Sequence, residues 1–187
     1  MAEIRTIYST ADELAMIARI LQNYARLPFS PINIPGGVME GVLGHVRRGE
    51  VLRTYDFVDV VNRESRLGWQ IKSTLAGTPV TWKRAKIPER IELIAASEKS
   101  DDGLQSLGDA IIGFCNRHAE ESIKLYALKE IGYARLVIHE DGRVMYFERR
   151  LCTRANPQIL VISQVYNHRN LSDSGAFQAR KNARRRR

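Results

Sequence analysis

Three polar residues that could act together on a phosphate group lie in one short stretch of the chain, Asp59, Gln70 and Lys72. Two apolar, β-like segments flank the polar run Arg63–Arg66, which predicts a hairpin. If the turn is centred on the Glu64–Ser65 bond, facing residues have numbers that add up to 129, so Asp59 lies opposite Gln70. Lys72 follows Gln70 by two residues and shares its face. A carboxylate, an amide oxygen and an ammonium group are thus expected to converge.

This combination is suited to a hard cation and to phosphate chemistry. Mg²⁺ takes oxygen ligands and keeps several of its waters. It would lower the pKa of an attacking water and neutralise charge on the phosphate. Lys72 could orient that water and stabilise the transition state. The alternative interpretation is a half-buried hairpin carrying an ordinary surface Asp, Gln and Lys.

The aspartate role is open to one competitor in the sequence. Asp56 differs from Asp59 by an odd number of residues, so a regular strand points it to the other face. A single β-bulge would exchange the two faces. Asp56 and Asp59 therefore both remain candidates from the sequence alone.

The spacing Asp59-x10-Gln70-Ile71-Lys72 resembles the PD-(D/E)XK nuclease signature, in which an acid on one strand precedes E/D-x-K on the next. The apolar run before Lys72 and the following Ser73-Thr74 are also similar. The chain departs from the motif at Gln70, where Glu or Asp is usual, and at Val58, where the motif has proline. A Gln-x-Lys version occurs in modification-dependent restriction endonucleases and in one homing-endonuclease group. The resemblance covers roughly residues 38–75.

The resemblance implies an α/β fold with a restriction-endonuclease-like core, a central mixed β-sheet flanked by helices. It implies a Mg²⁺-dependent deoxyribonuclease acting on double-stranded DNA, as a type II restriction endonuclease or as a homing or repair nuclease. Asp59 and Gln70 would bind the metal and Lys72 would act in catalysis. The family often adds an acid from the helix before the sheet, which suggests Glu40, with Glu50 as a weaker substitute. Glu40 could instead stabilise a helix N-terminus. Cutting both strands implies a homodimer.

The elements that would position these residues can be read from periodicity and from turn residues. Asp141-Gly142 is a strong signal for a hairpin that joins the predicted strands Tyr133–Ile138 and Val144–Phe147. The predicted helices are Ser9–Arg26, capped by Ser9 with Asp12, then Val38–Arg48 and Leu104–Leu128, the last after a charged break at Glu98–Gly103. The predicted strands are Val51–Asn62, Leu67–Thr74, Ile91–Ser97, Tyr133–Ile138, Val144–Phe147 and Ile159–Tyr166, with a short extended piece at Val80–Trp82.

Two polar segments could contact DNA. Lys83, Arg84 and Lys86 follow the candidate active-site strand, and Ser73 lies near the end of that strand. Asn167 and Arg169 follow the last apolar segment, and such side chains can contact phosphates or base edges. The alternative for both segments is a solvated loop.

The bulk composition limits the remaining possibilities. The chain has 187 residues, 44% of them hydrophobic, which is enough for one domain, and we assign it to residues 1–179. Of the net charge of +8, six positive charges lie in residues 180–187, a basic tail expected to be disordered. No apolar run is long enough for a membrane span, and Cys115 and Cys152 have no metal-type spacing, so a cytoplasmic protein is expected.

Two other functional classes stay open. A non-catalytic DNA-binding protein could retain the nuclease fold, and the neutral Gln70 favours that alternative. An RNA-binding accessory domain could depend on the arginine tail.

Overall fold

A computed structural model describes residues 5–28, 33–54, 56–78 and 87–159. In chain order the elements are α1 Ala11–Ala25, α2 Gly36–Val46, β1 Glu50–Val51, β2 Val60–Asn62, β3 Leu67–Leu75, α3 Arg90–Lys99, α4 Asp101–Leu125, β4 Glu130–Ile138 and β5 Val144–Thr153. The predicted α/β class with a mixed sheet flanked by helices is confirmed. The predicted strand around Val80–Trp82, most of Ile159–Tyr166 and the basic tail 180–187 lie outside the described residues.

The described strands form one five-stranded sheet in the order β1-β2-β3-β4-β5. β3 and β4 are parallel, and the other neighbouring pairs are antiparallel. A parallel pair needs a crossover connection, and α3 and α4 provide it here. β4 and β5 form the hairpin predicted from Asp141-Gly142, and Gly142 has the left-handed φ of +80° that glycine tolerates best.

Apolar side chains fill a core on each face of the sheet. We call these the α1/α2 core and the α4 core, after the helices that supply much of each. In β3, Leu67, Trp69 and Ile71 point into the α1/α2 core. Side chains alternate along a strand, so Gln70 and Lys72 belong to the α4-facing side. Gly68 on that side allows a close approach, since a Cβ there would lie 2.7 Å from Leu128 Cδ1.

The N-cap of the first helix is one residue later than predicted. Thr10, not Ser9, is the N-cap, and it forms a capping box with Glu13 rather than pairing with Asp12. Ser9 has another role, because its backbone N–H and its hydroxyl both donate to the Glu148 carboxylate, at 2.7 and 2.8 Å. The cap prediction was wrong because this contact to a distant strand removes Ser9 from the helix end.

Two strand predictions are also wrong. Ile91–Ser97 lies within α3, and the predicted charged break at Glu98–Gly103 is reduced to Ser100, which caps α4. A Cβ on Gly103 would lie 2.1 Å from Ala96 O, so this glycine permits the close contact of α3 with α4. The predicted strand Val51–Asn62 consists of two short strands that pair with each other.

Among the described residues, no helix has both the length and the apolar character needed to cross a bilayer. Cys115 and Cys152 are both buried in the α4 core.

Candidate active site

The β2–β3 hairpin has the register predicted from its turn. Val60 faces Trp69, Val61 faces Gly68 and Asn62 faces Leu67. Asn62 Oδ1 accepts a hydrogen bond from Ser65 N at 2.8 Å, and the left-handed Arg66, with φ 57°, completes the turn. The prediction that facing residue numbers add up to 129 is therefore confirmed along the whole paired length.

β3 continues beyond the first residue of β2. β2 has three residues and β3 has nine, so β3 extends from Gln70 to Leu75 beyond its last partner in β2. Asp59, just before β2, lies at this boundary, and its backbone N–H donates to Trp69 O at 2.8 Å. The sequence thus places a carboxylate next to the unpaired edge of the strand that carries Gln70 and Lys72.

The Asp59 carboxylate is bound to β3 by two hydrogen bonds. Its Oδ2 atom accepts from the Ile71 backbone N–H at 2.6 Å and from Gln70 Nε2 at 2.5 Å. The first bond satisfies a strand N–H that β2 does not reach. Gln70 is only 2% exposed, so its amide is held in a fixed position. A carboxylate can accept about four hydrogen bonds or metal contacts.

Glu40 of α2 joins this pair. Burial raises the pKa of the Glu40 carboxyl, the negative charge of Asp59 raises it further, and the positive charge of Lys72 opposes both. The Glu40 carboxyl therefore lies within electrostatic range of both Asp59 and Lys72. We call the four residues Glu40, Asp59, Gln70 and Lys72 the notch site.

The two competing acids lie elsewhere. Asp56 Oδ2 accepts hydrogen bonds from Tyr126 Oη, after α4, and from Thr54 Oγ1. Burial and the Asp56 contact raise the pKa of Tyr126. Glu50 forms an ion pair with Arg63 at 3.0 Å, with both side chains more than half exposed. The structure brings Asp59, not Asp56, to Gln70, and it is Glu40, not Glu50, that lies within electrostatic range of Asp59.

Among the predicted DNA-binding residues, only Ser73 lies in the described part of the chain. Its hydroxyl donates to the carbonyl of Ile34 at 2.6 Å and so ties β3 to the segment that enters α2. This bond helps to position the helix that carries Glu40. Lys83, Arg84, Lys86, Asn167 and Arg169 lie outside the described residues.

The donor chemistry of the notch site fits a hard divalent cation. Two carboxylates and an amide oxygen are the kind of ligand that Mg²⁺ prefers. Across the described ranges, no three His, Cys, Asp or Glu side chains group as metal ligands. A cation here would therefore rely on the amide of Gln70 in addition to Glu40 and Asp59. It would also offset the repulsion by Asp59, which adds to the effect of burial in raising the pKa of Glu40.

Sequence reasoning did not single out the neighbours of the notch site on β4. Lys72 faces Arg135, and Gln70 faces Tyr133, in the parallel β3–β4 pairing. These partners are far apart in the sequence, and α3 and α4 lie between them. The alternation of apolar residues along β4 indicates which face of the sheet Arg135 lies on, but it does not indicate that Arg135 lies beside Lys72.

Comparison of the chain with protein-family models, with curated proteins and with solved structures gave no match.

Proposed function

We propose that this protein is a Mg²⁺-dependent endonuclease that hydrolyses phosphodiester bonds in double-stranded DNA, with the notch site as its active centre. The observation that carries the proposal is the hydrogen bond of Gln70 to Asp59 where β3 extends past β2, with Glu40 within electrostatic range of Asp59 and Lys72. Two acids, a metal-binding amide and an ammonium group are the groups this reaction needs.

The order of elements supports the PD-(D/E)XK interpretation. The resemblance implies a mixed sheet flanked by helices, with an acid on the helix before the sheet, and the chain has α2, the β2–β3 hairpin, α4 and β4 in that order. Fold similarity alone does not establish a reaction. The proposed reaction rests on the side chains of the notch site.

Each residue has a distinct role in the proposal. Glu40, Asp59 and Gln70 would hold Mg²⁺, which when bound lowers the pKa of a water and neutralises charge on the phosphate. The Ile71 N–H and the Gln70 amide fix the orientation of Asp59. Lys72 would orient the attacking water and donate to the phosphate oxygen that gains negative charge.

A type II restriction endonuclease acting as a homodimer is the biological role that we propose, because two copies of one site can cut both strands. A homing or repair nuclease would use the same chemistry at the same residues.

The proposal is tested by cleavage of long DNA, both unmodified and methylated, in the presence of Mg²⁺. We expect discrete fragments from the wild type and from Lys99→Ala, which removes an exposed lysine at the end of α3. We expect none from Lys72→Ala. Equal cleavage by all three proteins would show that the nuclease does not use this site.

A DNA-binding protein without nuclease activity is the second candidate. The observation that favours it is that residue 70 is a neutral glutamine whose amide Nε2 donates a hydrogen bond to Asp59. This candidate predicts DNA binding that is indifferent to Mg²⁺. Calorimetric Mg²⁺ binding that Asp59→Ala abolishes would argue against it.

A further inference from the structure

The sheet face that carries Gln70 and Lys72 continues across β4 and β5. In the register of these strands, Lys72 lies beside Arg135, and Arg135 beside Phe147. Facing residues on neighbouring strands project to the same side. The side chains of Lys72, Arg135 and Phe147 therefore form one row that starts at the notch site and runs to the β5 edge.

A second row lies next to the first on the same face. Gln70 lies beside Tyr133, and Tyr133 beside Arg149. The rings of Tyr133 and Phe147 are 6.1 Å apart, which confirms that the two rows adjoin. The two rows together place Lys72, Arg135 and Arg149 on one surface, which we call the cationic track.

Both guanidinium groups of the track lie against aromatic rings. Arg149 Cζ is 5.0 Å from the Tyr133 ring centroid, and Arg135 Cζ is 5.9 Å from that of Phe147. Arg135 Nε also donates to Thr74 Oγ1 at 3.3 Å. A guanidinium group held against a ring loses less conformational freedom when it binds a ligand. It also has five N–H donors arranged to match the oxygens of a phosphate.

The strand residues on this side of the sheet include three cations, Lys72, Arg135 and Arg149. The strand residues of these rows and of the adjoining row are Gln70, Lys72, Thr74, Tyr133, Arg135, Val137, Met145, Phe147 and Arg149, and no Asp or Glu is among them. Glu148 of β5 lies on the opposite face, where it accepts from Ser9. Met145 is 57% exposed and Phe147 is 36% exposed, so a ligand can reach the β5 end of the track.

We propose that Arg135 and Arg149, together with Lys72, bind the phosphate backbone of a DNA duplex next to the notch site. The assignment of DNA as the occupant rests on the proposed function, while the charge and geometry of the track select a polyanion. Arg135 and Arg149 would position the duplex, since phosphate contacts fix its register without reading its sequence. Binding would bring a phosphate up to Lys72 and the two carboxylates.

The test measures binding of the full-length chain to a fluorescent random-sequence DNA duplex over a series of salt concentrations, without added divalent cation. The double variant Arg135→Gln/Arg149→Gln is compared with Arg143→Gln, which removes the same kind of charge at the β4–β5 turn, where Arg143 pairs with Asp141. We expect the double variant to bind roughly tenfold more weakly. Its log–log salt slope should fall by about 1.8, because each phosphate contact contributes about 0.9. Arg143→Gln should retain both the affinity and the slope.

The variant Arg135→Lys/Arg149→Lys separates loss of charge from loss of fold. It keeps both positive charges, so we expect a salt slope close to that of the wild type. If the salt slope falls equally in the lysine and glutamine variants, the positive charges of Arg135 and Arg149 do not contact DNA phosphates, and the proposed role of the cationic track is wrong.

The track and the nuclease can fail separately. If the glutamine variant binds DNA as tightly as the wild type, the proposed role of the cationic track is wrong. Cleavage that depends on Lys72 would still support the proposed nuclease activity. Binding that the glutamine variant loses, in a protein that never cuts DNA, would support the track and contradict the nuclease. A wild type that does not bind DNA would overturn both.

Discussion

The side-chain amide of Gln70 donates a hydrogen bond to Asp59 Oδ2 across the end of the β2–β3 hairpin, at 2.5 Å. A carboxylate at position 70 could not donate this bond in its ionised form. The neutral residue therefore has a structural consequence in addition to its effect on charge. It holds Asp59 in place without adding a third negative charge beside Asp59 and Glu40.

We expect Gln70→Glu to destabilise the protein without metal and to make its stability depend strongly on Mg²⁺. Residue 70 is almost fully buried, and the new carboxylate would contact Asp59. The free energy of unfolding should fall by about 2 kcal/mol or more, measured by urea denaturation. Saturating Mg²⁺ should restore much of it, because binding to the folded state stabilises that state.

The matched control is Gln105→Glu, the same change at an exposed position of α4. It should alter the free energy of unfolding by no more than about 0.5 kcal/mol, with or without Mg²⁺. A Gln70→Glu protein that is as stable as the wild type and indifferent to Mg²⁺ would show that no cation binds beside residue 70.

The raised pKa of Glu40 predicts a pH dependence of stability. Below its ordinary pKa of 4.5 the carboxyl is protonated in both the folded and the unfolded chain. As pH rises from there through the higher folded-state pKa, the unfolded chain releases the proton first, so the free energy of unfolding decreases. Glu40→Gln should lack this part of the decrease. The difference should stay below about 1 kcal/mol, because Glu40 is only partly buried.

Urea denaturation of both proteins between mildly acidic and neutral pH measures this difference. Added Mg²⁺ should reduce it, since a bound cation favours the ionised carboxylate. Identical pH profiles for the two proteins would contradict the placement of Glu40 beside Asp59.

Arg47 is expected to be the most important buried charge for stability. Its side chain is 2% exposed, and its guanidinium group donates to Glu13 at 2.6 Å. The guanidinium group also donates to the backbone carbonyls of Thr6 and Tyr8. It packs 4.8 Å from the Trp69 ring centroid. Arg47→Ala leaves the Glu13 carboxylate without this partner and should cost about 3–5 kcal/mol in the free energy of unfolding.

The control variant Arg63→Ala removes an exposed ion pair and should cost less than about 1 kcal/mol in the free energy of unfolding. Similar losses in the two variants, measured by urea denaturation, would show that Arg47 does not anchor the N-terminal segment.

The parts of the site that sequence reasoning predicted are local in the chain. Asp59, Gln70 and Lys72 belong to one hairpin with a four-residue turn, and turn length fixes register. Glu40 was suggested by a family resemblance, and its distance from the hairpin could not be derived from spacing. Arg47 and Arg135 could not be assigned a role, because their contacts join segments that are distant in the sequence.

The errors in the fold have a similar origin. The apolar run Ile91–Ser97 is too short for its periodicity to separate a helix from a strand, and its packing on α4 decides the outcome. The run Val51–Asn62 has a strand-like composition, but Thr54 and Asp56 bond to each other in its middle, and Asp56 also bonds to Tyr126. These contacts accompany the reversal of the chain between β1 and β2.

We propose that Asp59, and not its neighbour Asp56, belongs to a metal-dependent nuclease site. The most direct test measures DNA cleavage by Asp59→Asn and Asp56→Asn over a range of Mg²⁺ concentrations. We predict that Asp56→Asn cuts at the same Mg²⁺ concentrations as the wild type, and that Asp59→Asn gives no fragments at any of them. Cleavage that survives in Asp59→Asn, or that is lost only in Asp56→Asn, would show that Asp59 does not belong to the nuclease site.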